Sequence, residues 1–575
     1  MRLISTVQAS CRDCYKCVRS CPMKAIRVIN GHAEVVEDRC IADGRCVRVC
    51  PQNAKKVEDS IELVEGFLRA KVKVAVSLAP SFTGAFNFDK PGQMVGALKQ
   101  MGFDYVGETA EGATAVAEEH RKLVASGRQP VITSCCPAIV NLLEIYYPDL
   151  LLYLAPIVSP MVAHGKILKN RYGTDTKVVF VGPCIAKKGE IKGNENALAV
   201  DAVLTFGELM SMLHRKDIEI GNCKTMAFDS PCRLNSRTFP LPGGLAKSAA
   251  LNTDMLAKDI VTIDGLEEVI DFLDKFEEVK DSLQLIELLA CNGGCVAGPE
   301  STDIMIEFAR RYSVIHYAEE QPAFDDNSED KAVDKYSGLD LTSRYSSRSI
   351  AHPKPSEDKI REILSRTGKI TPEDELNCGA CGYNSCRDKA MAVAAGMAEV
   401  DMCIPYMRAR AESKANVICQ MTPNAIIVLD SNLRILELNP AAEKIFLAAH
   451  DLATGDPISA IMDPRDFEEA FHTKKLVTGE VSFPDYNMVA WQAIFYVAKD
   501  DVLIGIFADI TKEKEQREQL SRVTDETLEK AQEVINKQMK VAQEIAGLLG
   551  ETTAETKVQL TKLMNLIKSE GRKGD

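Results

Sequence analysis

The sequence predicts a multidomain protein of mixed α+β and α/β class. Three observations carry this. The chain has 575 residues, enough for three to five domains at roughly 100–200 residues each. Eighteen of its 19 cysteines precede residue 404, mostly in tight groups. Between those groups, short β-branched runs alternate with helical stretches, and a charged helical pattern closes the chain. Hydrophobic residues make up 46% and charged residues 26%, so packed cores are expected throughout. The net charge of −14 argues against nucleic acid as a partner. The longest apolar run, from Leu150 to Ala163, holds two prolines and falls short of the ~18 residues of a membrane span. The opening MRLISTVQASC has no apolar core of a secretory signal. The expected location is therefore the cytoplasm, where clustered cysteines serve as metal ligands rather than disulfides.

The first group is Cys11, Cys14, Cys17 and Cys21, followed by Pro22. This C-x2-C-x2-C-x3-C-P run resembles bacterial two-cluster ferredoxins, in which the fourth cysteine serves the other cluster. A zinc site would use paired ligands instead. The second group is Cys40, Cys46 and Cys50, with Asp43 where the spacing expects a cysteine. The resemblance implies a ferredoxin-like module over residues 1–65. Cluster one takes Cys11, Cys14, Cys17 and Cys50; cluster two takes Cys21, Cys40 and Cys46. Two readings of Asp43 stand: an oxygen ligand of a 4Fe–4S cluster with one labile iron, or a turn residue beside a 3Fe–4S cluster.

In the middle of the chain, strands are expected at Val72 to Val76, Val131-Ile132 and Val178 to Val181, and a helix at Met94 to Met101. Several strands end on notable residues, which places active groups at the carboxyl ends of an open sheet. The motifs are Thr133-Ser-Cys135-Cys136-Pro137, Gly182-Pro183-Cys184-Ile-Ala-Lys187-Lys-Gly-Glu190, and Glu287-Leu-Leu289-Ala-Cys291-Asn-Gly-Gly-Cys295. Each alone could be buried structural cysteine. Together, behind a ferredoxin-like module, they resemble the three signatures of iron–iron hydrogenases.

That resemblance implies an α/β H-cluster domain over residues 70–316. The H-cluster is a 4Fe–4S cubane joined to a diiron unit bearing CO, cyanide and azadithiolate. Matched by motif, Cys136, Cys184, Cys291 and Cys295 are the cubane ligands, and Cys295 bridges to the diiron unit. Cys135 is the proton-donating cysteine and Lys187 the lysine beside an iron-bound cyanide. Ala79, Pro80 and Ser81 form the loop beside the other cyanide. The implied reaction is 2 H+ + 2 e− to H2, reversible, by heterolytic chemistry.

The sequence departs from the family around these motifs. Fast members carry methionines where Gly182 and Leu289 stand, and a glutamine where Met161 stands. The serine of the usual proton relay aligns with Ala155, which cannot pass a proton. Lys122 falls near the relay glutamate. The third motif ends Ala297-Gly-Pro-Glu300 instead of the glycine-rich ending usual in the family. Glu287, read as one helical turn before Cys291, offers a substitute carboxylate or a structural charge. Glu118, Glu119 and Glu190 are further candidates, the first two expected at the surface. Cys223, Cys232 and Cys419 are expected to be buried structural thiols, and none of the eight histidines stands in a ligand pattern.

Residues 317–356 are polar and aperiodic, and read as a linker lying partly ordered along the surface. Cys378, Cys381, Cys386 and Cys403 then resemble a small one-cluster 4Fe–4S domain of corrinoid and membrane redox proteins, over residues 357–412. Zinc is the rival there. From residue 415 to 511 the pattern is a hairpin (Ala425 to Leu429, Leu433 to Leu438), a short helix (Ala441 to Phe446), and strands at Val489 to Val497 and Val502 to Ala508. It resembles a PAS domain, which holds haem, flavin or nothing; His450 and His472 are candidate ligands but are read first as loop or surface histidines. Over 512–575 the chain reads as C-terminal helices. Leu528, Ala531, Ile535, Gln538, Ala542, Ile545 and Leu549 form a coiled-coil seam. Gly550 is a stop, and Thr552 to Glu555 a capping box.

The whole resembles a sensory iron–iron hydrogenase. It implies a slow H2-reactive enzyme that signals through its PAS domain, as a homodimer, to a separate kinase or phosphatase. A housekeeping hydrogenase coupled to ferredoxin is the alternative. A non-catalytic iron–sulfur protein is the third reading.

Overall fold

The structure is a computed structural model. It describes residues 3–127, 130–192, 197–230, 232–251, 259–301, 304–320, 336, 338–350, 355–447, 455–548 and 553–570. His450, Leu549, Gly550 and Thr552 lie outside the described residues. The chain forms two compact units, Met1–Met407 and Arg408–Asp575.

In the first unit, strand Ile4–Thr6 pairs antiparallel with Lys55–Val57, and Ile26–Ile29 with His32–Val35. The helices Lys16–Ser20 and Arg45–Arg48 carry cysteines between them. Helices this short do not persist on propensity alone. They pack on a small core of Val18, Ile26, Val28 and Ala33.

Two parallel sheets follow. One has the order Tyr105–Glu108, Val74–Leu78, Lys177–Gly182, Ala202–Thr205. The other has the order Ile260–Asp264, Leu285–Leu289, Val131–Ile132. The strands VAVSL and LIELL are buried along their full length, as expected of strands covered on both faces. Helices Gly92–Met101, Ala110–Ala125, Pro137–Tyr146 and Pro160–Tyr172 pack around them. Gly112 sets one close approach: a Cβ there would lie 2.3 Å from the Pro160 carbonyl oxygen. Only glycine lets helices Ala110–Ala125 and Pro160–Tyr172 meet so tightly.

His120 shows the cost of one polar side chain in this packing. It is 0% exposed, its Nδ1 lies 2.8 Å from the Val116 carbonyl oxygen, and burial pushes its pKa down to about 4. A histidine with a depressed pKa contributes stability above its unfolded value near 6.5 and loses it as pH falls toward 4. The swing is about 3 kcal/mol. We expect His120→Gln to flatten denaturant stability between pH 6.5 and 4; an unchanged slope would refute this account.

Residues 338–348 form a strap. The Val158 N–H donates to the Leu341 carbonyl at 2.9 Å, and the Ser343 N–H to the Pro156 carbonyl at 3.0 Å. The Tyr345 hydroxyl donates to the Ile157 carbonyl at 2.7 Å.

The segment Glu357–Ser365 to Cys403 packs on the N-terminal module. Val28 N–H donates to Met397, Lys24 Nζ to the Gly382 carbonyl at 2.7 Å, and the amides of Asn30 and Gly31 to the Glu399 carboxylate. The first unit ends within helix Ile404–Met421.

The second unit holds a five-stranded antiparallel sheet. Its order is Ile435–Leu438, Ala425–Leu429, Val502–Asp509, Met488–Val497, Val477–Phe483. The expected hairpin and closing strands are present. Strand Val477–Phe483 and helix Arg465–Thr473 add to the expected elements: the strand alternates half-buried with exposed positions, so its apolar signal is weak. The core centres on Phe446, Phe467 and Phe507. A 38-residue helix, Thr511–Leu548, follows without a break. Its Leu528, Ile535 and Ala542 are half-buried, while Ile545 is exposed.

Among the described residues no helix is long and apolar enough to cross a membrane.

Candidate active site

The site grows from strand ends. Strand Val74–Leu78 delivers Ala79, Pro80 and Ser81. Strand Val131–Ile132 leads to Cys135 and to Cys136, which stands immediately before helix Pro137–Tyr146. Strand Lys177–Gly182 leads to Cys184, and strand Leu285–Leu289 to Cys291 and Cys295. All of these residues, with Lys187, Met161 and Leu289, line one cavity of about 870 Å3, its mouth included. The backbone at Gly294 turns at φ +83°, and a Cβ there would lie 2.4 Å from the Pro240 carbonyl oxygen. Glycine is required for Cys295 to face the cavity beside Cys291.

The donor set fits an iron–sulfur group. Burial, then the neighbouring sulfurs, push Cys184 up to about 11 and Cys295 up to about 12, and raise Cys291 well above the usual thiol range. Thiols raised this far by burial and by neighbouring sulfurs become thiolates only around a cationic centre, and Cys136 supplies the fourth sulfur beside these three.

Lys187 is 8% exposed, and its ammonium meets the Glu190 carboxylate at 2.8 Å. Burial works against its charge, but Glu190 and Cys184 outweigh it and raise its pKa. It therefore stays cationic. Cys135 lies between charges: burial and Glu287 raise its pKa, and Lys187 opposes them. Ser134 Oγ and the Tyr345 hydroxyl both donate to the Ile157 carbonyl, at 2.6 and 2.7 Å. The strap, a linker by its sequence, thus closes over the Cys135 loop.

Glu287 corrects the sequence reading. It sits in strand Leu285–Leu289, not on a helix before Cys291. Its carboxylate accepts from the amides of Leu245 and Ala246 at 3.3 and 3.4 Å. Burial raises it to about 7 against those two bonds. Glu118 and Glu119 pair with Arg121 and Lys122 on the surface. The Lys122 side chain is 53% exposed. Ala155 is 0% exposed.

Gly182 has a packing reason. A Cβ there would lie 2.7 Å from the Phe180 ring and 3.2 Å from Ala79 Cβ. Phe180 itself lines the cavity, so its ring occupies the room a methionine would need.

The other cysteine groups also converge. Burial and Asp43 raise Cys21 and Cys46, and Asp43 also acts on Cys40. The Asp43 side chain is 10% exposed, its pKa raised to about 6 by burial with Arg45 opposing, and its Oδ2 lies 3.6 Å from Arg45 Nε without a hydrogen bond. It also acts on Cys291, and the two residues line one pocket. Cys17 feels Cys11 and Cys14, and the Lys55 ammonium acts on both Cys17 and Cys50. Cys378, Cys381, Cys386 and Cys403 line one small pocket, with Lys369 Nζ 3.4 Å from Cys403 Sγ.

Three features escaped the sequence. His32 Nδ1 lies 3.3 Å from Asp13 and forms a close group with Cys11, so one histidine does join a ligand-type cluster. Cys232 is more than a structural thiol: it donates to Glu108 at 2.9 Å in a buried network with Arg237 and Tyr317. A second buried network joins Thr109, Ser77, His164 and Glu111. The only sequence signal for the two networks was polar residues inside apolar runs.

Three family models match the chain. Residues 72–299 match the iron only hydrogenase large subunit, C-terminal domain, residues 3–51 a 4Fe-4S dicluster domain, and residues 374–405 an Fe-S cluster domain. Iron hydrogenase 1 of Clostridium pasteurianum is 27% identical over 365 residues, 51% of this chain and 63% of that protein. The NADP-reducing hydrogenase subunit HndD of Solidesulfovibrio fructosivorans is 28% identical over 363 residues, 52% of this chain and 56% of that protein. The chain thus spans about three fifths of the length of these curated relatives. The solved FeFe-hydrogenase HydA1 from Chlamydomonas reinhardtii aligns with 51% of this chain and 100% of its own, at 17% identity and a TM-score of 0.42.

Proposed function

We propose that this chain is an H2-reactive iron–iron hydrogenase of low turnover that serves as a redox or H2 sensor. One observation carries the reading. Cys136, Cys184, Cys291 and Cys295 meet at a single cavity with Cys135 and Lys187, inside the segment that matches the hydrogenase model. Those four cysteines would hold the H-cluster. Its diiron part, when bound, supplies heterolytic H2 chemistry. Lys187, held cationic by Glu190, fixes an anionic ligand by a charge-assisted hydrogen bond. Ala79, Pro80 and Ser81 position the opposite side. Cys135 exchanges a proton with the cavity, and Glu287 tunes it from the strand behind.

Cys11, Cys14, Cys17 and Cys50 would hold the first N-terminal cluster. Cys21, Cys40 and Cys46 would hold the second with Asp43, whose Oδ2 makes no hydrogen bond and only a 3.6 Å ion pair with Arg45, which favours ligation over a turn role. Cys378, Cys381, Cys386 and Cys403 would hold the third. Replacing Asp43 with Cys should then give an all-thiolate second cluster. We expect slower iron loss in air and a changed electron paramagnetic resonance spectrum; identical iron content and spectra would contradict ligation by Asp43.

The sensor reading rests on what surrounds the cavity. Gly182, Leu289, Met161 and Ala155 remove polar or thioether contacts there. Each lost contact costs about 1 kcal/mol of transition-state stabilisation, and each 1.36 kcal/mol is tenfold in rate. The second unit, with strand order 2-1-5-4-3 and a long helix after its last strand, fits a PAS domain that pairs two chains. Its output would be a separate kinase or phosphatase in the cytoplasm, with a ferredoxin-type protein as electron partner.

Infrared spectra after anaerobic maturation test the core claim. Bands from CO and cyanide are expected, with H2 turnover orders of magnitude below fast hydrogenases. Their absence would leave a non-catalytic iron–sulfur protein; fast turnover would favour the ferredoxin-linked housekeeping enzyme. Amide hydrogen exchange under H2 and under argon should differ in residues 415–511 and in helix Thr511–Leu548. Identical protection would remove the sensor reading.

A further inference from the structure

A buried polar chain begins at the cavity wall and has no part in the roles above. Thr109 lines the cavity, and its hydroxyl lies 2.8 Å from Ser77 Oγ. Ser77 Oγ lies 2.8 Å from His164 Nδ1. His164 Nε2 lies 3.5 Å from Glu111 Oε2. The Glu111 carboxylate accepts from Arg171 through both guanidinium nitrogens and from the Tyr336 hydroxyl at 3.3 Å. Ser77, His164 and Glu111 are 0% exposed, whereas the Arg171 side chain is 26% exposed. The chain therefore runs from the cavity toward solvent.

Stability alone does not explain it. A buried hydroxyl, imidazole and carboxylate roughly break even against apolar residues of the same shape. The ring is also pinned. A Cβ at Gly107 would lie 2.9 Å from His164 Cε1, and one at Gly112 would lie 2.6 Å from His164 N. Glycines at both places let the imidazole sit in line between Ser77 and Glu111 and leave it no room to turn. Burial works against the Glu111 charge, yet His164 and Arg171 outweigh it and bring its pKa down to about 2. Glu111 thus holds a proton only in passing.

We propose that Thr109, Ser77, His164 and Glu111 form a proton route between the cavity and the Arg171–Tyr336 edge, this chain's own replacement for the hydroxyl missing at Ala155. It rests on the hydrogenase reading. Outward, a proton from the cavity joins Thr109 Oγ1 as the Thr109 proton moves to Ser77 and the Ser77 proton moves to His164 Nδ1. The Nε2 proton then passes to Glu111 and leaves through the Tyr336 hydroxyl. One proton enters, one leaves, and no electrons move. The pinned ring is left as its other tautomer, and the starting tautomer returns when a proton passes inward. The route therefore loads and unloads a proton as the site changes redox state, and sustains one-way flow poorly. That behaviour suits a site that reports its state rather than one built for turnover.

The test uses the full-length, anaerobically matured chain with Thr109→Val, Ser77→Ala and His164→Gln. We expect unchanged iron content and CO and cyanide band positions. After mixing with H2, the bands should change at least tenfold more slowly, with an altered solvent isotope effect. Thr109→Ser, which keeps the hydroxyl, should recover most of the loss seen in Thr109→Val. In the cluster-free chain, histidine-selective 15N NMR should show Thr109→Val moving the His164 signals through Ser77. Variants as fast as the wild type, or His164 signals blind to Thr109→Val, would sink the route while leaving the hydrogenase reading intact. A wild type without CO and cyanide bands would remove both. Where His164→Gln fails to fold, Thr109→Val at the cavity wall decides.

Discussion

Cys135→Ala is expected to lower H2 turnover by a hundredfold or more while leaving the CO and cyanide bands in place, whereas Cys136→Ala should abolish H-cluster assembly. The two residues are neighbours, yet the fold gives them different surroundings. Cys136 stands at the start of helix Pro137–Tyr146 and lies close enough to Cys184, Cys291 and Cys295 for its charge to raise all three. Cys135 instead sits among Glu287, Lys187 and Glu190, the surroundings of a proton carrier. Losing a positioned proton donor typically costs 10²–10⁴-fold in rate. Losing one of four ligands removes a bond that holds the group itself. Iron analysis and infrared spectra on both variants decide the matter: equal loss of cluster content in the two would overturn the division of labour.

Glu108→Ala should be the most destabilising single change in the first unit, judged on the cluster-free chain. Glu108 is 1% exposed at the end of strand Tyr105–Glu108. Its Oε2 accepts from Arg237 Nε and Nη2 at 3.2 and 2.8 Å and from Cys232 Sγ at 2.9 Å. Its Oε1 accepts from the Tyr317 hydroxyl, and the Arg237 guanidinium lies 4.3 Å from the Tyr317 ring centre. One carboxylate thus ties helix Glu307–Glu320 and the 232–237 segment to the sheet edge beside Thr109. Removing it leaves a buried guanidinium without its counter-charge, which costs about 3–5 kcal/mol. For a domain of this size that is a fall of roughly 10 °C in melting temperature. Glu108→Gln should fall between, because the amide keeps the shape and one acceptor. A melting curve for Glu108→Ala within about a degree of the wild type would show the network to be energetically idle.

Cysteine spacing makes the groups at 11–21, 40–50 and 378–386 legible, because an iron–sulfur centre demands several thiolates within a few residues on a tightly turning backbone; Cys136, Cys184, Cys291 and Cys295, far apart in sequence, are legible only through the resemblance of their motifs. Lys187 is legible only through the resemblance of the motif at Gly182–Glu190. Glu287 is legible as a residue but not as geometry. Its four-residue distance from Cys291 suits a helix, and only the register of Leu285–Leu289 between Ile260–Asp264 and Val131–Ile132 makes it a strand. The strap around Tyr345 has the pattern of a polar linker because its contacts with Pro156, Ile157 and Val158 are made to the backbone, which leaves no apolar period.

The sequence by itself determined where cysteines cluster, which motifs stand at strand ends and where polar residues are replaced by Gly182, Leu289, Met161 and Ala155, because those properties belong to residue types and short spacings. Tertiary structure decided which polar groups meet instead. Ser77, Thr109, Glu111 and His164 are scattered over a strand, the residue before a helix, and two helices. They meet at 2.8, 2.8 and 3.5 Å because Gly107 and Gly112 leave room for His164, where a Cβ would lie within 3 Å of it. Hydrogen-bonded contact between residues up to 87 positions apart depends on the packing of the two helices against the sheet, which no local pattern encodes.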